Sequence, residues 1–124
     1  MEAKVVENTP ERTRLEIAGR MDTAGVERNE ARFFALFAPR ALDTILDLSK
    51  VSLITSMGLR LLISSAKTAS SKGFRVVLVA PAGPVREVLD HAAIGELTPL
   101  VDDVAAARAL LSAGGVADRG GAAD

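Results

Sequence analysis

Two short aliphatic runs, Thr44-Ile45-Leu46-Asp47-Leu48 and Phe74-Arg75-Val76-Val77-Leu78-Val79-Ala80, flank a helix-forming stretch, and no other feature constrains the fold of this chain as strongly. Runs of this kind are strands covered by helices on at least one face. Two such strands lying parallel need a crossover of about a dozen residues or more, usually a helix. The stretch over residues 56–71 supplies it: Leu59, Leu62, Ile63 and Ala66 follow the spacing of one helix face, while Arg60, Ser64, Lys67 and Ser71 trace a polar face. Gly73 stands where a helix C-cap belongs. The segment between Leu48 and Ser56 reads as a short loop, and the whole as a βαβ crossover.

The flanks extend this pattern into a small α/β domain. Lys4-Val5-Val6-Glu7 and Thr13-Arg14-Leu15-Glu16-Ile17 read as a hairpin across a turn containing Pro10. Residues 23–38 turn helical, with Val26, Phe33 and Phe37 on one face, Glu30 interrupting it and Pro39 ending it. Pro84 suits the first turn of another helix, with Val85, Val88, Leu89 and Ala92 on its buried face and Gly95 just past its end. Residues 97–101 read as a last strand, and Asp102 as the cap of a final helix carrying Val104, Ala107 and Leu111. The order is ββαβαβαβα, a mixed sheet of about five strands with about four helices packed on it. The domain is expected over residues 1–112. Residues 113–124 hold four of the ten glycines and almost no large apolar side chain, so they are expected to be a disordered tail.

Bulk properties exclude several classes of function. A length of 124 residues suits one domain able to bury a core without staples. There is no cysteine, which removes thiolate chemistry, disulfides and cysteine-based metal sites. The net charge of −1, with both signs scattered, leaves no basic footprint for nucleic acid. The four phenylalanines, three of them at 33, 34 and 37, provide no stacking platform for bases or sugars. Residues 1–14 are charged and lack the apolar core of a secretory signal, and no apolar run nears the roughly 20 residues of a membrane helix. A cytoplasmic protein without membrane insertion is expected.

Ser56 is the position of greatest functional interest, because it falls where the central strand's loop meets a helix. Thr55 or Ser56 can serve as the N-cap. A phosphate is tolerated at such a helix end, where the dipole favours negative charge. Asp22 and Thr23 make a cap for the first helix. Met57 can pack into a partner's groove or into the core, and Gly58 can admit a close backbone.

The stretch Asp47-Leu48-Ser49 followed by Thr55-Ser56-Met57-Gly58-Leu59 resembles the phosphorylation-site region of the STAS domains, in particular the bacterial anti-sigma-factor antagonists. There a strand ending in Asp-Leu-Ser leads to Asp-Ser-Ser-Gly-Leu, whose first serine is phosphorylated. That serine falls on Ser56 and the glycine on Gly58, while Thr55 replaces the acid and Met57 the second serine. Gly19-Arg20-Met21-Asp22 resembles the family's Gly-x-Leu-Asp turn. The resemblance, spanning roughly residues 4–112, implies a small single-domain STAS-like fold and a binding module with no catalysis and no cofactor. It would hold an anti-sigma factor that is also an ATP-dependent serine kinase, release it when phosphorylated on Ser56, with Thr55 as alternative acceptor, and be reset by a phosphatase. Partner contacts are implied at Asp22, Thr55, Ser56, Met57 and Gly58.

Other readings are weaker. Leu46-Asp47-Leu48 looks like the phospho-accepting strand of a response-regulator receiver, but a receiver needs paired acids after its first strand to hold magnesium, and only Glu7 and Asn8 stand there. His91, the single histidine, makes no zinc site of the usual kind. No nucleophile elbow, phosphate loop or dinucleotide fingerprint is present. The rival from another class is a STAS-like scaffold subunit of a transport or stress complex that is never phosphorylated.

Overall fold

A computed structural model describes residues 1–113 of the chain. Strands β1 (Glu2–Asn8) and β2 (Arg12–Met21) are followed by α1 (Thr23–Phe37), β3 (Asp43–Ile54), α2 (Ser56–Lys72), β4 (Val76–Val79), α3 (Pro84–His91), β5 (Leu100–Val101) and α4 (Val104–Ala113). The strands form one five-stranded sheet in the order β1-β2-β3-β4-β5. β1 is antiparallel to β2, while β2, β3, β4 and β5 run parallel. The expected mixed α/β sheet, element order and βαβ crossover are all present.

Alternation along the central strands sets the layers, because successive side chains point to opposite faces. Val76 and Leu78 join Leu46 and Leu48 in a core built with Phe33 and Phe37 of α1, Leu61 and Leu62 of α2 and Leu89 of α3. Val77 and Val79 turn the other way, with Ile45, against Ala107 and Leu111 of α4. Burial on both faces explains why β4 reads as an unbroken apolar run. On β2, Leu15 and Ile17 are buried while Arg14 and Glu16 lie opposite them, in a network of charge. Glu7 accepts from Arg108 at 2.7 Å and from Arg14 at 3.3 Å, and Lys50 reaches Glu16 at 3.0 Å. The Arg108 hydrogen bond, joined by Arg14, holds the Glu7 carboxyl below its usual range.

The structure corrects several local expectations. The segment after Leu48 is strand, with β3 continuing to Ile54 against the end of β2. Register shifts between Glu16 and Ala18 and between Gly19 and Arg20 break the two-residue period, so Ser49, Lys50, Ser52 and Leu53 are exposed and mimic a loop. α3 ends at His91; Ala93 turns left-handed at φ 54°, and Gly95 lies inside a 3₁₀ turn over Ile94–Glu96. The last strand is accordingly only Leu100–Val101, and of the expected α3 face Leu89 is buried while Val88 and Ala92 are exposed. The buried stripe of α2 runs through Gly58, Leu61, Leu62, Ser65 and Ala69, leaving Leu59, Ile63 and Ala66 half-buried at its border. Ser65 is tolerated in the core because its hydroxyl donates to the Leu61 carbonyl at 2.9 Å.

The cap of α4 is Asp103, whose carboxylate accepts from the Ala106 amide at 2.8 Å; Asp102 instead holds Arg86 at 2.8 Å. α4 reaches Ala113, and the remainder of the expected tail, 114–124, lies outside the described residues. Gly73, at φ 83°, does close α2, its N–H donating to Ala69 and Ser70.

Candidate functional site

The parallel pairing of Met21 with Ile54 brings the ends of β2 and β3 side by side, and the two helices that follow start from the same edge of the sheet. Asp22 leads into α1 and Thr55 into α2. The sequence separates the two positions widely, yet Asp22 and Thr55, Ser56, Met57 and Gly58 come to one end of the domain.

Thr55 occupies the N-cap position of α2 in an extended conformation, φ −107° and ψ −178°. Its hydroxyl does not cap the helix, contrary to the expected role of such a side chain. It donates to the Met21 carbonyl at 2.9 Å, and the Thr55 amide donates to the same oxygen at 3.1 Å. The Thr55 carbonyl accepts from Leu59 at 2.9 Å and so begins the helix. Ser56, the first helical residue, is exposed, and among the described residues no hydrogen bond engages its hydroxyl. The two neighbouring hydroxyls are therefore inequivalent: one is committed to the fold and the other faces solvent.

Met57 is half-buried and packs on the edge of the larger core. Gly58 is buried, and the backbone that approaches it closely is the chain's own. A Cβ there would stand 2.8 Å from the Met21 carbonyl oxygen and 2.7 Å from Cγ1 of Ile54. Asp22 is the working cap of α1, accepting from the Gly25 amide at 2.8 Å and from Arg20 at 3.2 Å. The Gly25 N–H first, and then the Arg20 guanidinium, hold its carboxyl below the ordinary aspartate range.

Sequence reasoning did not find what lies beside this site. Leu53 and Val88 are exposed apolar residues that share a shallow pocket of about 60 Å³ with Ser52, Ile54, Pro84 and Val85. A wider, open depression of about 570 Å³ continues past Leu59 to Glu87 and His91 of α3. No local signal marks this patch, because Leu53 reads like any strand leucine and its exposure follows from the register shifts of β2. The ring Nδ1 of His91 lies 3.1 Å from the Glu87 carbonyl. Asp47 is buried and structural in its contacts: it accepts from the Ser49 amide at 3.0 Å and lies 3.8 Å from Arg14. Among the described residues no group of three or more acidic, histidine or cysteine side chains is placed to hold a metal ion. No helix among them is long and apolar enough to cross a membrane.

No curated protein matches the chain by sequence. Among solved structures, an anti-sigma factor antagonist from Mycobacterium paratuberculosis is similar with a TM-score of 0.78 at 17% identity, over 90% of this chain and 95% of that one. The anti-sigma factor antagonist SpoIIAA in its unphosphorylated form is similar with a TM-score of 0.68 at 17% identity, over 90% and 97%. The phosphorylated form of SpoIIAA, from Bacillus, gives 0.60 at 18% identity, over 88% and 99%. The same fold recurs within the murine anion transporter Slc26a9, with a TM-score of 0.70 at 18% identity over 86% of this chain and 18% of the transporter. These likenesses concern the fold. The family model of the STAS domain matches residues 1–107, and the chain belongs to the STAS domain family.

Proposed function

We propose that this protein is an anti-sigma-factor antagonist whose binding to an anti-sigma factor is ended by phosphorylation of Ser56. The observation that carries the reading is the inequivalence of the two hydroxyls at the start of α2. The Thr55 hydroxyl is hydrogen-bonded to the Met21 carbonyl, while Ser56 is exposed to solvent on the first turn of α2. A kinase needs an accessible acceptor, and the family's acceptor frame falls on the accessible one. The exposed apolar residues Leu53 and Val88 beside it provide a surface that a protein partner can bury.

The chemistry belongs to the partner. The serine oxygen forms a new bond to the γ-phosphorus of ATP, the bond from that phosphorus to the bridging β-oxygen breaks, ADP leaves with its electron pair, and the hydroxyl proton passes to the kinase's base. Hydrolysis by a phosphatase returns the serine. Phosphate adds about −1.5 to −2 charge at pH 7, which in a close-packed interface brings desolvation cost and repulsion from acidic groups. The protein acts in the cytoplasm, where sigma factors act, and has no catalysis of its own.

The test is phosphorylation by the anti-sigma kinase of its native cells with ATP, mapped by mass spectrometry. Phosphate should appear on Ser56, be lost in Ser56→Ala and persist in Thr55→Ala. Phosphate on Thr55 would move the acceptor, and no phosphate at all would favour a scaffold subunit that is never modified.

A further inference from the structure

We infer that Arg60 is the residue that captures the phosphate of phosphorylated Ser56. The inference rests on the proposed switch and adds to it the group that holds the modified state. Ser56 and Arg60 stand four residues apart on α2, a spacing that puts their Cβ atoms about 5–6 Å apart on one face of the helix. Both are exposed. Their order is the favourable one, with the anionic group N-terminal to the cation.

The second observation is that Arg60 is an unspent cation. Among the described residues, the side chains of Arg12, Arg14, Arg20, Arg32, Arg40, Arg75, Arg86 and Arg108 each hold a hydrogen bond. The side chains of Arg28 and Arg60 hold neither a hydrogen bond nor an ion pair among those residues. Of these two only Arg60 lies on the helix that carries Ser56; Arg28 is on α1. Arg20, at the end of β2, is already paired with Asp22 at 3.2 Å. Lys50 is paired with Glu16 at 3.0 Å. On α3, Glu87 and His91 border the depression that begins at Leu59. A guanidinium binds phosphate through parallel N–H donors, more strongly than a neutral donor would. Its flexible stem reaches one helical turn back without any movement of the backbone.

Capture changes what the partner meets. Before modification Arg60 is a free positive charge on the rim of the Ser56 surface. Afterwards it is bound to the phosphate, so a single event adds a dianion and withdraws a cation. A residue that served only solubility at this position would not respond to the modification.

The test uses full-length protein with phosphoserine installed at position 56 during translation, so no kinase is needed. The second ionisation of the phosphate is followed by phosphorus NMR in wild type, Arg60→Gln, Arg60→Lys and Arg28→Gln. Arg60→Gln should raise that pKa by about 0.3 unit, the equivalent of about 0.4 kcal/mol for an i,i+4 ion pair. Arg60→Lys should keep part of the shift, and Arg28→Gln should leave it unchanged. Matching melting temperatures of the unmodified variants show that the fold is intact. An unchanged pKa in Arg60→Gln, or an equal change in Arg28→Gln, overturns the capture. A kinase that ignores Ser56 would overturn the switch while leaving this result standing, so the two failures are distinct.

Discussion

Thr55 donates both its backbone N–H and its hydroxyl to one oxygen, the carbonyl of Met21, at 3.1 Å and 2.9 Å. These two hydrogen bonds tie the start of α2 to the end of β2. It also takes the Thr55 hydroxyl out of competition with Ser56. Thr55→Val removes only the side-chain donor while keeping shape and the amide bond, and should destabilise by about 0.5–1.5 kcal/mol. Thr55→Ser should recover most of that. Chemical denaturation of the two variants measures it, and a Thr55→Val protein as stable as wild type would show that the hydroxyl contributes nothing to holding the site.

Gly58 gives a second prediction, in which packing opposes propensity. Alanine is favoured over glycine in a helix interior by about 1 kcal/mol. Here, however, the added Cβ would lie 2.8 Å from the Met21 oxygen, 2.9 Å from the Met21 Cβ and 2.7 Å from the Ile54 Cγ1. Two of these three neighbours are backbone or directly attached to it and move with the sheet. Overpacking of this kind costs about 1–3 kcal/mol, so Gly58→Ala should be net destabilising. A raised denaturation midpoint would mean that β2 and α2 separate more readily than their contacts imply.

Much of the fold was legible before any coordinates, for reasons that differ between elements. Val76, Val77, Leu78 and Val79 are buried on both faces of the sheet, so the strand appears as a continuous apolar run. Gly73 and Asp22 act within their own helices, and local rules suffice for them. What stayed hidden was nonlocal. The end of β3 shows burial at Val51 and Ile54 only, because the shifts in β2 replace alternation with a longer interval. The Thr55 hydroxyl finds an acceptor 34 residues away, which no capping rule anticipates. Asp102 and Asp103 are equally good caps in sequence; the demand of Arg86 for a carboxylate separates them. The convergence of Asp22 with residues 55–58 is nonlocal in the same way, since it follows from the pairing of Met21 with Ile54.

Asp22 supplies a prediction about pH. Its carboxyl is held below the ordinary range by the Gly25 N–H and by Arg20, so the folded state keeps the charge after the unfolded chain has taken up a proton. The unfolded state then binds more protons, and stability falls as pH falls. The contribution of Asp22 is complete above the unfolded value of about 4 and is lost as the pH drops through the lower folded value. Asp22→Asn keeps a good N-cap, loses the Arg20 pair and should flatten this part of the acid limb, while Asp22→Ala, which loses the cap as well, should be less stable at neutral pH. Denaturation curves at several pH values between about 2 and 7 read both effects. An acid limb unchanged in Asp22→Asn would contradict the assignment.

Calorimetric titration of the anti-sigma partner into wild type, Ser56→Ala and Ser56→Asp tests the switch itself. Ser56 is the first residue of α2, where an acidic side chain is favoured by the helix dipole by about 0.3–1 kcal/mol, so Ser56→Asp should fold as stably as wild type or slightly better. In the interface the same carboxylate must give up water, and it can pair with Arg60 only by withdrawing that cation from the partner, a cost of several kcal/mol that corresponds to a loss of affinity of about a hundredfold or more. The prediction is that Ser56→Ala binds within a few fold of wild type and Ser56→Asp, equally well folded, does not bind measurably; Ser56→Asp binding like wild type would contradict a switch operated by charge at this residue.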